Sequence, residues 1–174
     1  MKNMPLGINT LSTIINEDMV YVDKTEIALK LVKQPGRFFL SRPRRFGKSL
    51  FLDTLKEIFE GNQKLFEGLY IHDKWDWTRK FPVIKIDFAG GVLRNRAELD
   101  RRILNTLQMN SERLGIPWRT DCDLAGNFIA LIRGATTSHG NRAVVLVDEY
   151  DKPILDCIDH PEVAAEMREG LKNL

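Results

Sequence analysis

Two short stretches of the chain have the apolar pattern of β-strands. Residues 82–88 read PVIKIDF, and this alternation of apolar and polar side chains is typical of a half-buried strand. Residues 143–147 read AVVLV, a continuous β-branched run that favours a strand buried on both faces of a parallel sheet. A third apolar stretch, RFFLS at residues 37–41, is also predicted to be a strand.

Around these strands the apolar positions recur at helical spacing. A turn and a short helix are predicted over residues 5–15, and longer helices over 23–32, 48–60, 95–114, 124–134 and 161–171. Gly134 is predicted to end the helix before it, which makes the polar run 135–141 a loop. Pro153 is expected to stop regular structure. Helices that alternate with strands in this way predict an α/β protein with a mainly parallel sheet.

Two helix starts carry a recognisable capping pattern. Asp23 is followed three residues later by Glu26, and Asn95 is followed at the same spacing by Glu98, as in capping boxes. In the helix that begins at Asp23, the side chains predicted to face inward are Ile27, Leu31 and Val32.

The basic stretch before the helix at 48–60 carries the clearest chemical signal. It reads RPRRFGKS over residues 42–49, and its last three residues complete the second half of a GxxxxGK[ST] phosphate-binding loop. The first glycine of that pattern is replaced by Arg42. The loop can still direct backbone N–H groups and the positive end of the helix at a phosphate, with Lys48 as counter-charge and the Ser49 hydroxyl available to Mg2+. A GKS tripeptide can occur by chance in a basic surface turn, but the strand before it and the helix after it favour the phosphate loop.

The distribution of charge agrees with an anionic ligand at this place. The whole chain is nearly neutral, with 26 basic and 24 acidic residues. Between Glu26 and Asp53, however, there is no acidic residue, and the basic residues there are Lys30, Lys33, Arg37, Arg42, Arg44, Arg45 and Lys48. A local excess of positive charge attracts anions such as nucleotides.

The strand at 143–147 ends in the acidic pair Asp148 and Glu149. Parallel α/β sheets place ligands at the carboxyl ends of their strands, so this pair is expected at the same edge as the phosphate loop. Asp148 would hold Mg2+ directly or through water, and Glu149 would orient and polarise an attacking water. The alternative is that Asp148 only caps the structure that follows. The GKS loop upstream, with strands and helices between, favours the catalytic interpretation.

Composition and cysteine content indicate the class and compartment. The chain has 174 residues and a mass of 20.0 kDa. Of its residues, 43% are hydrophobic and 29% are charged, which is ordinary for one globular domain. Cys122 and Cys157 are isolated thiols, as expected of a reduced, intracellular protein. The first residues contain no long apolar run, so neither a signal peptide nor a membrane span is expected, and the protein is predicted to be cytoplasmic.

The motifs YVDKT at 21–25, RPRRFGKS at 42–49 and VLVDEYDKP at 145–153 occur together and in this order. With them the sequence resembles the bacterial AAA-ATPase-like family of predicted P-loop ATPases, over nearly the whole chain. The resemblance implies one domain over residues 1–174, an α/β three-layer sandwich of the P-loop NTPase type. It implies ATP and Mg2+ as ligands, with catalytic roles for Lys48 and Glu149 and metal binding by Ser49 and Asp148. The residues that it implies for ATP binding are Arg44, Arg45, Phe46, Gly47, Lys48, Ser49 and Leu50.

Members of that family typically continue into a strand with a polar sensor residue and then a PD-(D/E)xK nuclease-like domain. This chain is therefore expected to be the N-terminal part of a longer ATPase. Its strands near Phe39 and Val145 are expected to leave an open position between them, which favours self-association. Nucleic acid, through the downstream domain, and a second copy of the chain are the partners considered.

Two other functions stay open on the sequence. The first is a nucleotide-dependent module that does not hydrolyse ATP and binds nucleic acid or protein through Arg37, Arg42, Arg44 and Arg45. The second, which the sequence favours less, is a small-molecule kinase, because phosphoryl transfer to a substrate usually needs a different base on the acceptor side.

Overall fold

The computed structural model describes residues 2–34, 36–41, 43 and 45–172. The chain divides into two compact units, residues 1–81 and residues 82–174. The prediction of a single domain over residues 1–174 stays a prediction.

The first unit is helical. Its elements are α1 (Leu11–Asn16), α2 (Thr25–Val32), α3 (Lys48–Glu60) and a 3₁₀ helix (Gln63–Phe66). Helix α3 packs against α1 and α2. It ends at Gly61, whose φ of 78° is the left-handed conformation that closes many helices, as the sequence predicts.

The buried face of α3 is more polar than its apolar pattern predicts. Leu55 and Ile58 are buried as expected, and Asp53 is buried with them. The Asp53 carboxylate accepts a hydrogen bond of 2.7 Å from the backbone N–H of Leu11, at the N-terminus of α1. A negative charge at a helix N-terminus is favourable, so this carboxylate joins α1 to α3.

The prediction of a strand at residues 37–41 is wrong, because this segment forms no strand in the structure. Its apolar side chains are exposed, with Phe39 68% and Phe38 51% accessible. An apolar run predicts burial, but a strand exists only where a neighbour accepts its backbone hydrogen bonds. The expected open position between two strands is therefore not seen in the described part of the chain.

The start of α2 also differs from the prediction. The helix begins at Thr25, and Lys24 occupies the N-cap position without a side-chain cap. Asp23 instead accepts hydrogen bonds of 2.7 Å from the N–H groups of Thr25 and Tyr70. Glu26 pairs with Lys30 rather than closing a capping box.

The inward face of α2 is shifted as well. Ala28 and Leu29 are buried, whereas Ile27 is 53% exposed. Leu31 and Val32 are half-buried. The buried residues of α2 are thus Thr25, Ala28 and Leu29.

The second unit contains the sheet. Its elements are β1 (Val83–Asp87), α4 (Arg96–Leu114), α5 (Leu124–His139), β2 (Val144–Asp148), α6 (Lys152–Leu155) and α7 (Pro161–Lys172). The two strands are parallel and in register from Val83 opposite Val144 to Asp87 opposite Asp148. The α/β class and the parallel pairing are thus confirmed.

The core of this unit is apolar and lies between β1 and the long helices. Its fully buried members are Ile84, Ile86, Phe88, Leu99, Ile103, Leu107, Ala135 and Met167. Helix α4 starts as the sequence predicts, because the Asn95 side chain accepts a 3.0 Å hydrogen bond from the N–H of Glu98. It ends at Gly115, with a φ of 66°.

Two predicted helix boundaries are wrong. Helix α5 passes through Gly134 and ends at Gly140, so most of the run 135–141 is helical. Gly134 serves packing instead, since a Cβ there would meet the Ile116 side chain at 2.6 Å. Pro153 lies in the first turn of α6, where a proline without an N–H is tolerated.

The two edges of the sheet differ. Asn110 of α4 binds both backbone groups of Lys85, accepting from its N–H at 3.1 Å and donating to its carbonyl at 2.8 Å. Arg113 donates to the carbonyl of Val83. Side chains of α4 therefore occupy backbone groups on the outer edge of β1.

Strand β2 is less buried than predicted. Val145 and Val147 are 37% and 42% exposed, which contradicts the expectation of burial on both faces. A β-branched run favours a strand with at least one buried face. Burial of the second face depends on whether another element of the fold covers it.

We expect Asp23→Ala to lower the free energy of unfolding by about 1–2 kcal/mol at pH 7, because two backbone N–H groups lose their acceptor. Burial raises the pKa of Asp23, but hydrogen bonds from Tyr70 and Thr25 outweigh it and hold this pKa below its ordinary value. A carboxylate with a depressed pKa stabilises the folded state above the unfolded pKa of about 3.9, and that stabilisation is lost as the pH falls through the folded pKa. Urea unfolding from pH 7 to pH 3 measures the effect.

The difference between parental and Asp23→Ala protein should therefore shrink below about pH 4. Asp73→Ala is the matched control, since the Asp73 side chain is 88% exposed and its loss should change stability little. A constant difference across this pH range would contradict the role given to the Asp23 charge.

Candidate nucleotide-binding site

The backbone at the start of α3 is shaped as an anion-binding turn. Gly47 is the N-cap, with a φ of 73°, and Arg45 has a φ of 65°. A left-handed conformation costs a non-glycine residue about 1–2 kcal/mol. Two left-handed residues so close together turn the chain sharply into the helix, and successive N–H groups in such a turn can form a concave anion site.

The first N–H groups of α3 are open. Gly47 has no side chain to cap them, and the first helical hydrogen bond runs from the N–H of Phe51 to the carbonyl of Gly47 at 3.0 Å. Among residues whose placement is described, the N–H groups of Lys48, Ser49 and Leu50 have no hydrogen-bond partner. A helix N-terminus in this state attracts negative charge.

The side chains of the loop are also available to a ligand. Lys48 and Ser49 are half-buried, and neither forms an ion pair or a side-chain hydrogen bond within the described ranges. Phe46 is 60% exposed. Arg42 and Arg44 lie outside the described residues, so the predicted role of Arg44 stays a prediction.

The structure adds a residue that the sequence did not single out for this site. The Nζ atom of Lys24 lies 3.9 Å from the position that a Cβ would take on Gly47. Both residues line a small pocket with Ile27, Leu40, Phe46 and Phe51. The sequence spacing of Lys24 and Gly47 does not predict that they lie close together. In the sequence, Lys24 is distinguished only as a member of the YVDKT motif.

The acidic pair lies in the second unit, at the carboxyl end of β2. Asp148 is 6% exposed, and its Oδ1 accepts a hydrogen bond of 3.0 Å from the N–H of Glu149. No cation among the described residues pairs with it. A buried carboxylate without a positive partner is costly, which suits a site that receives a metal ion.

Asp87 lies next to Asp148 in the sheet register. Sequence reasoning treated Asp87 only as a polar position of an alternating strand. Its Oδ1 accepts a hydrogen bond of 2.7 Å from the N–H of Ala89. Both carboxylates therefore stand at the carboxyl edge of the parallel pair, where ligands of such sheets bind.

Glu149 has an unusual backbone. Its φ is 51°, which an L-residue adopts at a cost and which occurs often at functional sites. The side chain is half-buried, and the carbonyl accepts a 3.0 Å hydrogen bond from the N–H of Lys152. The turn after β2 is thus held in a defined conformation.

The remainder of the acidic motif supports the neighbouring loop after β1. Lys152 pairs with Asp156 at 2.6 Å and donates to the carbonyl of Gly91. Asp156 also accepts a hydrogen bond of 3.1 Å from the N–H of Leu93. Both side chains are largely buried, so this pair fixes the loop beside the carboxyl end of β1.

Oxygen donors of the kind that Mg2+ binds are present in both units. Within the described ranges no group of three or more His, Cys, Asp or Glu could hold a metal. Mg2+ usually takes one or two protein oxygens together with substrate phosphates and water. Ser49 and Asp148 supply donors of that kind from the two units, and their meeting at one site stays a prediction.

These features define an α/β protein with a parallel strand pair and a GKS helix start. A family model described as "Predicted AAA-ATPase" matches residues 5–174, and the chain belongs to this AAA-ATPase-like family. The resemblance predicted from the three motifs is thereby confirmed.

One relative is about three times as long as this chain. It is 53% identical over 174 residues to a protein of Azotobacter chroococcum mcd 1 described as "Uncharacterized protein in vnfD 5'region". The alignment covers 99% of this chain and 34% of the relative, so the chain spans about a third of that protein's length. No solved structure matches the chain. In the part of the chain that the structure describes, no helix is long and apolar enough to cross a membrane.

Proposed function

We propose that this chain binds ATP at the loop of residues 44–50 and contributes to Mg2+-dependent ATP hydrolysis in the longer protein. The observation that carries the proposal is the open start of α3, where Gly47 leaves the first N–H groups without a cap. Family membership over residues 5–174 supports ATP as the ligand.

The loop residues have distinct roles in this proposal. The N–H groups of Lys48, Ser49 and Leu50 donate hydrogen bonds to phosphate oxygens, and the helix dipole favours the negative charge. Lys48 contributes a positive charge that no carboxylate in the described part of the chain neutralises. Phe46, which is 60% exposed, offers an apolar surface beside the phosphates.

Ser49 and Asp148 are the proposed Mg2+ ligands. When bound, Mg2+ neutralises charge on the β- and γ-phosphate oxygens. The Ser49 hydroxyl has no protein partner within the described residues, and the buried Asp148 carboxylate has no cation partner there. Both observations support the proposal that these oxygen atoms bind a cation.

Glu149 is the proposed base that orients the attacking water. It follows Asp148 directly, in a turn where its backbone is left-handed and its carbonyl accepts a hydrogen bond from the N–H of Lys152. A carboxylate placed beside a metal ligand can accept a proton from water as the bond to phosphorus forms.

The proposed longer ATPase extends the sheet beyond the two strands seen here. Further strands would pair beside β2, because α4 already binds the outer edge of β1 through Asn110 and Arg113. A three-layer sandwich of the P-loop type follows from such an extension.

Titration of the 174-residue chain with ATP tests the proposal. We expect ATP with Mg2+ to bind with a Kd on the order of 1–100 µM and to raise the melting temperature as the ligand concentration rises. Adenosine, which has the base and no phosphate, is the control and should have little effect. The proposal is wrong if titration with ATP and Mg2+ gives no heat of binding and ATP does not change the melting temperature.

A further inference from the structure

Lys24 lies beside the phosphate loop although helix α2 separates the two in sequence. Its Nζ is 3.9 Å from the Cβ position of Gly47, in the pocket that Phe46 and Ile27 also line. The side chain is half-buried. Within the described residues its ammonium has neither an ion pair nor a hydrogen bond.

The neighbours of Lys24 in the YVDKT motif hold it in this place. Asp23 accepts hydrogen bonds from the N–H groups of Thr25 and Tyr70. Thr25 is fully buried, and its hydroxyl accepts a hydrogen bond of 3.1 Å from the N–H of Ile71. Both flanking residues are therefore tied to segment 70–71, which leaves Lys24 as the residue of the motif that reaches the loop.

An ammonium at this point adds positive charge to a positive region. Lys48 and Arg45 belong to the same loop, and the open N-terminus of α3 carries a partial positive charge. Like charges without a counter-ion raise the free energy of the folded protein. A bound polyphosphate relieves this repulsion and supplies the acceptor oxygens that the ammonium lacks.

We propose that Lys24 is a second phosphate-binding lysine of the nucleotide site and that Asp23 and Thr25 are its positioning residues. The inference rests on the proposed function and adds a ligand contact to the same site. It identifies the ligand class as a nucleoside diphosphate or triphosphate that the site recognises through its phosphates.

Lys24→Met tests this role, because it removes the charge and keeps an unbranched apolar side chain in the pocket. We expect the affinity of the 174-residue chain for ATP to fall by about 10- to 100-fold, as for the loss of a charge-assisted hydrogen bond. Tripolyphosphate, which has no base, should lose affinity by the same factor. Lys24→Arg should retain most of the binding, and the melting temperature without ligand should not fall.

Lys33→Met is the matched control, since Lys33 is an exposed lysine just after α2, and this variant should bind both ligands like the parental chain. If Lys24→Met also binds both ligands like the parental chain while Lys48→Ala does not, the inference is wrong and the proposed site stands. A loss for ATP without a loss for tripolyphosphate would assign Lys24 to the base or ribose and would equally overturn it. If the parental chain binds neither ligand, the inference and the proposed function both fail.

Discussion

The Lys48→Ala chain is expected to bind ATP about 10- to 150-fold more weakly than the parental chain and to keep its fold. The ammonium has no ion pair or hydrogen bond within the described residues, so its removal breaks no polar interaction seen there. It does delete a charge-assisted hydrogen bond to phosphate, which is worth about 1.5–3 kcal/mol. Calorimetry with ATP and Mg2+ measures the loss of affinity, and urea unfolding measures whether the stability of the fold is unchanged.

The fold measurement makes this test specific. The free energy of unfolding should change by less than about 0.5 kcal/mol, as for a surface position without partners. Lys64→Ala is the control for the loss of a lysine, because Lys64 is exposed on the 3₁₀ helix. A Lys48→Ala chain that is folded and binds ATP as tightly as the parental one would show that the loop is not the phosphate site.

Glu149→Gln is expected to leave ATP binding intact and to lower the rate of hydrolysis by about 100-fold or more. Glutamine keeps the size of the side chain but cannot accept the proton of the attacking water, and a general base typically contributes about 10²–10⁴-fold. The backbone strain at Glu149, with its φ of 51°, is the same in both proteins. The measurement is single-turnover hydrolysis in the proposed longer protein, with ATP affinity determined in parallel.

The control for this variant is Glu162→Gln, at an exposed glutamate in the first turn of α7. It makes the same chemical change away from the end of β2 and should hydrolyse ATP at the parental rate. Parental activity in the Glu149→Gln protein would remove Glu149 from the mechanism.

The same measurement separates the ATPase from a module that binds nucleotide without hydrolysing it. Both functions need the phosphate loop, so Lys48→Ala affects both alike. Only the ATPase needs a carboxylate for water after the Mg2+ ligand. A full-length protein that binds ATP tightly and shows no turnover, with or without Glu149, would favour the binding module.

Short-range signals in the sequence determined the helix ends at which nearby residues cap the backbone or supply the required φ. Asn95 and Glu98 start α4 because a side-chain acceptor and an N–H three residues away meet in any helix that begins there. Gly61 ends α3 because glycine adopts a left-handed φ without steric cost. The start of α3 at Lys48 is equally local, because Gly47 before it adopts a left-handed φ.

Tertiary structure decided the features that depend on a partner distant in sequence. Residues 37–41 have the pattern of a strand but form none, because pattern cannot supply the neighbour that a strand needs for its hydrogen bonds. Asp23 has the spacing of a helix cap, yet part of its carboxylate is bound by the N–H of Tyr70. Gly134 lies inside α5, and the Ile116 side chain packs against the position that a Cβ would take there.

The contact between Lys24 and Gly47 is of the same kind. Lys24 lies near Gly47, and the residues on either side of it, Asp23 and Thr25, are hydrogen-bonded to residues 70–71, which no periodicity in the sequence encodes. The sequence by itself therefore determined where α3 begins and which residues are proposed to bind phosphate. The three-dimensional arrangement decided which further side chain reaches them, because that depends on hydrogen bonds between segments far apart in the chain.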